Sequence, residues 1–387
     1  MSRLANDLRS IIADGSRVVT DHIEPRLLSD VLGRLAGHAE ALVFPVSTKE
    51  VSAVMKYAYE NEIPVTPRGA GTNLVGSTVP VSGGIILDLS RMNRILELDK
   101  ATFTATVEPG FVLADFQKFV EYEELFYPPD PGEKTATIGG TISTNAGGMR
   151  AVKYGVTRDY VRGLEVVLAN GEVMTVGSKN GKDSCGLSLK NLIIGSKGTL
   201  AVITKCILKL LPLPEASRSV ILPYPNLSMG IQSVLRILHA NINPTAVEFI
   251  ERSVVKLGEE FLGLRFPFSN AGAYLLISFD GDETELMEKI GRLKTIAHKY
   301  GALDFLELDG ETVVNVWKIR GCLVKAVEAV SEQEPIDIVV PIDKTADFLS
   351  FVHAFERQYG MQMVGFGNEG DGNVHLCVVR GNRSQED

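Results

Sequence analysis

Across residues 48–62, Val51, Val54, Met55 and Ala58 recur at three- and four-residue intervals, which gathers apolar side chains on one face of a helix. Pro64 and Pro67 end that pattern, and 63–66 reads as a short strand running into a glycine loop. Residues 84–89 and 102–107 predict strands, the second from its alternating β-branched side chains. An amphipathic helix is expected over 114–124. Residues 164–176 predict a hairpin, because Asn170-Gly171 tolerates the positive φ angles of a tight turn. A β-branched run over 201–211 stops at Pro212 and Pro214.

Past that proline pair the pattern changes. Strand-like runs at 219–223, 246–250, 273–279, 304–308 and 336–341 alternate with helical stretches near 229–239, 283–300, 312–330 and 344–359. Such alternation predicts an α+β domain with helices laid on one sheet. A chain of 387 residues is long for one core, so two domains are expected. The boundary falls near residue 213, giving a first domain over 1–212 with a helical lead-in and a second over 213–387.

Composition narrows the chemistry. The net charge is −9 with no basic stripe, which argues against a nucleic-acid partner. No apolar run approaches the roughly 20 residues of a membrane-spanning helix, and the first sixteen residues lack the apolar core of a secretion signal. Cys185, Cys206, Cys322 and Cys377 are scattered without a CxxC pair, so neither a zinc ribbon nor an iron–sulfur site is indicated. A cytoplasmic protein that does not cross the membrane is expected.

Two glycine-rich stretches stand out in the first domain. The first, Pro67-Arg68-Gly69-Ala70-Gly71-Thr72-Asn73-Leu74-Val75-Gly76, follows a strand, where glycines let main-chain N–H groups converge on an anion. A plain tight turn explains that stretch equally well. No GxGxxG opens a helix and no Gly-Lys-Ser/Thr follows, so neither a nicotinamide fingerprint nor a nucleoside-triphosphate loop is present. The second stretch runs from Pro128-Pro129-Asp130-Pro131 into Thr137-Ile138-Gly139-Gly140-Thr141-Ile142-Ser143-Thr144-Asn145-Ala146-Gly147-Gly148. So many small residues in succession suit a flat ring packed against main chain.

The ordered set RGAGTNLVG, PPDP, TIGGTISTNAGG, KYG and GSKGTLAVIT resembles the FAD-binding domain of the vanillyl-alcohol-oxidase (PCMH-type) flavoproteins. Within them it resembles the glycolate oxidase subunit and D-lactate dehydrogenase branch, including the electron-transfer-flavoprotein-linked lactate dehydrogenases. That resemblance spans about Val43 to His375 and implies an α+β fold: a PCMH-type FAD-binding domain, then an α+β FAD-linked oxidase C-terminal substrate (cap) domain. It implies that Arg68, Gly69, Ala70, Gly71, Thr72, Asn73 and Gly76 cradle the FAD pyrophosphate. Thr137, Gly140, Ser143, Thr144, Asn145, Ala146 and Gly148 would line the flavin with Pro129 and Asp130, and Gly198 and Ile203 would contact the dinucleotide through main chain. Thr72 stands where relatives with covalent flavin carry His, so non-covalent FAD is expected. Lys197 stands where many relatives have Glu; it is read as a solvated side chain, against the alternative of a cation near the flavin.

In the second domain, Trp317-Lys318-Ile319-Arg320 resembles the family's arginine motif for a substrate carboxylate, a role for which the planar guanidinium fork is suited. Gly370-Asp371-Gly372-Asn373-Val374-His375 resembles the family's metal-binding segment. A divalent metal, iron or zinc, with His375 and Asn368 as ligands is the implied site, although an amide in place of the usual second histidine is a poorer ligand. The alternative is a His375 satisfied within the fold. The Glu-His-Gly motif that follows in relatives is absent from this sequence, so the second domain is read as lacking its usual end and the base is unassigned. His239 and His353 are read as ordinary helix-surface residues.

The activity implied is oxidation of a D-2-hydroxy acid, D-lactate or glycolate, with Arg320 and His375 as the catalytic pair. Electrons would pass to a protein or quinone carrier such as an electron-transfer flavoprotein or an iron–sulfur subunit. Two other readings stay open: a non-catalytic flavin-binding relay subunit, and a sugar or alcohol oxidase on the same fold. Arg320 weighs against the last, since a neutral alcohol needs no carboxylate clamp.

Overall fold

A computed structural model describes residues 3–381. The chain divides into two compact units. The first comprises residues 1–147 and 155–213, and the second comprises 148–154 and 214–387. Seven residues directly after the second glycine stretch therefore belong to the second unit, and the chain passes between units at 147/148, 154/155 and 213/214.

In the first unit, β1 (Val18–Val19), β2 (Ala41–Val43), β3 (Val65–Arg68) and β4 (Ile85–Asp88) form a sheet in the order β1-β2-β4-β3. Its β2–β4 and β3–β4 pairs are parallel. Next along the chain come β5 (Ile95–Asp99), β6 (Thr104–Val107), β7 (Leu125–Phe126), β8 (Val161–Val167), β9 (Val173–Gly177), β10 (Val202–Lys209) and β11 (Leu211–Pro212). The strands β7 and β11 pair with each other, and the other five make an antiparallel sheet ordered β5-β6-β10-β8-β9. The helix Thr48–Glu60 forms as its spacing predicts: Ser47 caps it by accepting from the Glu50 N–H, and Val51, Val54 and Ala58 are fully buried, with Met55 beside them. The Asn170-Gly171 hairpin joins β8 to β9, with Gly171 at φ 86°.

The second unit is built on a seven-stranded, wholly antiparallel sheet. It comprises β12 (Ala216–Tyr224), β13 (Ala246–Glu251), β14 (Ala273–Gly281), β15 (Leu306–Leu308), β16 (Gln333–Val339), β17 (Gln362–Asn368) and β18 (Asn373–Val379). The order is β15-β12-β14-β13-β17-β18-β16. Alternate residues feed two cores, as a pleated strand requires. Val220, Leu222, Phe249, Leu275 and Ile277 face the helices Leu227–His239, Glu283–Lys299 and Thr345–Tyr359. Ile221, Ile250, Tyr274, Leu276 and Phe366 face the helices Arg252–Leu262 and Gly310–Val330. Helices thus cover both faces of the sheet, and the central strand β14 is buried along nearly its whole length.

The hairpin β17–β18 has no counterpart among the strands expected from the sequence. Its glycines carry the reason: Gly365, Gly367, Gly370 and Gly372 mask strand propensity but meet packing demands. A Cβ on Gly367 would lie 2.2 Å from the Asn373 carbonyl oxygen, and one on Gly372 (φ +77°) 2.1 Å from the Val340 carbonyl oxygen.

Candidate cofactor cradle and substrate site

The loop after β3 carries the first glycine stretch. Among the described residues, no protein acceptor takes the main-chain N–H of Gly69, Ala70, Gly71, Thr72 or Asn73. The Asn73 carboxamide oxygen instead braces the loop by accepting from the N–H of Val75 and Ser77, at 3.2 and 3.1 Å. Arg68 is 6% exposed and donates only to neutral groups, Thr78 and the Arg26 carbonyl. Burial lowers its pKa from the ordinary guanidinium value. The glycines are sterically required: a Cβ on Gly71 would lie 2.1 Å from Arg68 Nη2 at a φ of +72°. Gly76 is also left-handed, at φ +65°.

The second glycine stretch opens as a helix, Ile138–Thr144, capped by Thr137 accepting from the Gly140 N–H at 3.3 Å. The first glycine pair therefore makes helix–loop contacts, a use its composition does not advertise. A Cβ on Gly139 would lie 2.5 Å from Pro109 Cβ, and one on Gly69 would lie 2.3 Å from Thr137 Oγ1. That last contact brings the two glycine stretches together. The segment 195–198 joins them at the helix C-terminus, where the N–H of Gly195 and Lys197 donate to the carbonyls of Ile142 and Ser143. Asn145 ends the helix at φ 50°, its side chain accepting from the Arg158 N–H at 2.9 Å. Ser143 and Thr144 close this helix and Asn145 and Ala146 follow it, and all four are half-buried.

The other expected contacts of this cradle are held less openly. Pro129 accepts from Gln117 Nε2 at 2.9 Å, and Asp130 is nearly buried in an ion pair with Lys134. Gly198 (φ +79°) packs on Pro67. Ile203 is buried in β10, paired with Val166. A cavity of about 240 Å³ lies beside them, lined by Met55, Tyr59, Pro67, Gly198, Leu200 and Val202 among others. Lys197 is exposed, at φ 56°. Gly148 falls just past the first unit, at the start of the segment assigned to the second.

That segment, 148–154, is anchored in the second unit by charge. Asp280, 6% exposed, forms an ion pair with Lys153 and accepts from the Tyr154 hydroxyl and the Thr245 hydroxyl, each at 2.8 Å. Val152 packs where a Cβ on Gly370 would otherwise sit, 2.7 Å away.

Arg320 projects from the helix Gly310–Val330 onto the sheet. Its Nε donates to Glu248 Oε2 at 2.6 Å, and its Nη2 lies 2.5 Å from the same oxygen. Nη2 also donates to Asn368 Oδ1 at 3.3 Å. The guanidinium stacks over Phe366, 4.9 Å from the ring centroid, and Phe366 in turn meets the His375 ring at 5.5 Å. Register explains the grouping: Glu248 pairs with Asn368, and Phe366 pairs with both Ile250 and His375, so these side chains share one face. Nη1 takes no acceptor among the described residues. One edge of a nearly buried guanidinium is thus committed and the other is open.

His375 Nδ1 lies 3.4 Å from Asp337 Oδ1. Burial lowers its pKa, with Arg320 acting in the same direction and Asp337 against both. In the tight turn after β17, Glu369 is fully buried, and burial pushes its pKa up to about 8 against the opposing pull of Thr345. Burial likewise raises Asp371 to about 6.

These donors do not fit the metal site that the sequence resemblance implies. Asn368 turns its oxygen to a guanidinium, whose positive charge opposes a second cation. His375 is engaged by Asp337, and no three His, Cys, Asp or Glu residues among those described converge to hold an ion. The two helix histidines differ from each other. His239 is exposed, whereas His353 is half-buried between Glu251 at 3.4 Å and Glu356 at 3.0 Å, which lift its pKa to about 9.

Glu248 and Phe366 were not singled out in the sequence. Glu248 sits in an apolar strand, AVEFIE, where a lone acid among buried positions is the one available signal.

Residues 39–177 match the FAD binding domain family, and residues 213–387 match the C-terminal domain of FAD linked oxidases. The chain is 44% identical over 345 residues to a D-lactate dehydrogenase of Anaerostipes hadrus, covering 87% of this chain and 73% of that one. It is 36% identical over 353 residues to the glycolate oxidase subunit GlcD of Bacillus subtilis, covering 90% of this chain and 74% of that one. The fold is shared with p-cresol methylhydroxylase at a TM-score of 0.81 and 16% identity, over 97% of this chain and 82% of that one. Alkyldihydroxyacetonephosphate synthase gives a TM-score of 0.80 at 18% identity, over 98% of this chain and 80% of that one. An unfilled row of N–H donors on a glycine loop, a PCMH-type fold and relatives of this similarity agree: the chain belongs to the FAD-linked oxidases, with an FAD binding domain followed by the family's C-terminal domain.

Proposed function

We propose that this flavoprotein oxidises a small D-2-hydroxy acid, D-lactate or glycolate, to the 2-oxo acid. The observation that carries the reading is Arg320, a guanidinium 8% exposed with its Nη1 edge open. A buried fork of this kind suits the carboxylate such an acid presents. The names of the relatives, D-lactate dehydrogenase and glycolate oxidase subunit, point to the same class.

FAD, when bound, supplies the acceptor for the α-hydrogen, which leaves as hydride. The unengaged N–H groups of Gly69–Asn73, with Arg68 behind them, would hold the pyrophosphate. Ser143, Thr144, Asn145, Ala146 and Gly148, with Pro129 and Asp130, would line the flavin, and the cavity beside Gly198 would take the adenine end. Thr72 offers no imidazole for a covalent link, so the cofactor would be held without one. Arg320 would fix the substrate carboxylate. His375, neutral at physiological pH because of its burial, would accept a hydrogen bond from the hydroxyl through Nε2, its Nδ1 being turned to Asp337. No step is assigned to a divalent metal.

Electrons would leave for a protein or quinone carrier, an electron-transfer flavoprotein or an iron–sulfur subunit. No helix among the described residues is long and apolar enough to cross a membrane, which is compatible with work in the cytoplasm. The test is anaerobic mixing of the purified holoprotein with D-lactate or glycolate. Bleaching of the flavin band near about 450 nm is expected of a competent hydride acceptor. A flavin that no 2-hydroxy acid reduces would replace this reading with that of a relay subunit.

A further inference from the structure

Given the proposed roles of Arg320 and His375, on which this inference rests, a third side chain gains a part in the reaction. Phe366 is 2% exposed on β17. Its ring centre lies 4.9 Å from the Arg320 guanidinium carbon and 5.5 Å from the centre of the His375 ring, to which it is tilted by 36°. Each of those two groups is held along one edge by polar partners: Arg320 at Nε and Nη2 by Glu248 and Asn368, His375 at Nδ1 by Asp337. Contacts along one edge leave a flat group free to swing about that edge. A ring packed against it removes the swing, and the negative face of the ring favours the cation. Phe366 meets both groups, so both are set against one reference.

The ring itself is held in place. Strand pairing puts Phe366 between Ile250 on β13 and His375 on β18. Ile319, next to Arg320 on its helix, and Leu323 share the same buried core. The flanking glycines keep the strands close, since a Cβ on Gly367 would lie 2.9 Å from Phe249 Cε1. On a 2-hydroxy acid the carboxylate and the hydroxyl stand on adjacent carbons. A guanidinium and an imidazole fixed against one ring suit that separation or the separation one carbon longer, but not both.

We propose that Phe366 is a positioning and specificity residue: it sets the spacing between Arg320 and His375 and thereby selects 2-hydroxy acids over 3-hydroxy acids. Phe366→Leu keeps an apolar filling but removes the flat face. Phe366→Met does the same with an unbranched chain, and Phe366→Tyr keeps the face.

The experiment is isothermal calorimetry on the FAD-loaded full chain with 2-hydroxyisobutyrate and 3-hydroxy-3-methylbutyrate. Neither has a hydrogen on the hydroxyl-bearing carbon, so binding is read without oxidation. Turnover of D-lactate and glycolate with a dye acceptor is measured alongside. Wild type is expected to favour the 2-hydroxy acid. In Phe366→Leu and Phe366→Met that preference should fall on the order of tenfold, the scale of one desolvated cation–π contact. In the same variants kcat for D-lactate should fall more than KM rises, and Phe366→Tyr should recover the preference. Flavin content and Tm show which variants fold, and the methionine variant serves if the leucine variant does not. A preference unchanged within twofold in a folded leucine or methionine variant overturns the proposal, and so does a folded tyrosine variant that loses it as fully as leucine. A wild type without the preference overturns it too. A wild type that binds the 2-hydroxy acid selectively but turns over neither substrate would instead overturn the proposed activity and leave the role of Phe366 standing.

Discussion

In the loop Gly69–Asn73 the groups left open are main-chain N–H donors, all from one short run of sequence. Around Arg320 they are side-chain atoms, and their supports come from Glu248, Phe366, Asn368 and His375 on three strands. The two regions show how differently a fold can present polarity. A main-chain cradle needs only that side chains be absent, so it tolerates little change in size but places no demand on partner residues. A side-chain cluster must balance each buried charge, so its members depend on one another.

The largest effect is expected at the cluster. Arg320→Met should raise KM for D-lactate by about 100-fold, the loss of a charge-assisted contact at the open Nη1 edge, as steady-state kinetics would show. It should also lower stability by about 3–5 kcal/mol in urea unfolding, because the buried Glu248 carboxylate loses the guanidinium it faces. The double variant Glu248→Leu/Arg320→Met should recover most of the stability and none of the KM. A double variant no more stable than the single would remove the interdependence claimed for this region.

At the cradle, Gly71→Val should weaken FAD binding by about 100-fold, from positive-φ strain together with collision against Arg68. Fluorescence titration of the apoprotein measures this, and full FAD occupancy in the variant would show that main chain is not what receives the cofactor. The segment 148–154 sharpens the contrast, since it follows the glycine stretch in sequence yet is anchored by side chains. Asp280→Asn should cost about 2–3 kcal/mol of stability, with Lys153 left without its counter-charge. An unfolding midpoint equal to wild type would reduce that anchor to ornament.

Smaller effects are expected outside both regions. The pKa of His353 is raised to about 9 in the folded state, mainly by Glu251 and secondarily by Glu356. Its contribution should therefore be fully present below the ordinary histidine pKa and be lost as pH rises through about 9. Discounted for solvent access, it is on the order of 1 kcal/mol, and His353→Asn should flatten that part of the stability–pH curve. Lys197→Gly should stabilise by about 1 kcal/mol or less by relieving a left-handed φ, read from the thermal midpoint.

Legibility followed the same division. The helix Thr48–Glu60, the Asn170-Gly171 hairpin and the change of pattern near the proline pair all follow local rules of spacing and turn chemistry. The glycine loops could be recognised because a run of small residues is itself contiguous. The hairpin β17–β18 was hidden by glycines whose purpose is packing. How the helices divide between the two faces of the second sheet also lay beyond reach, because period-two burial looks alike until the partners are known.

By itself, then, the amino-acid sequence determined the family, the two runs of small residues and the presence of an arginine in the second domain's Trp317–Arg320 motif. Only the tertiary structure decided that Arg320 is already paired, that Asn368 serves it instead of a metal, and that residues 148–154 belong with the second unit. The physical reason is range. Glycine tolerance and helix periodicity are set within a few residues, whereas charge balance in a buried site is set by whichever strands the sheet order brings alongside.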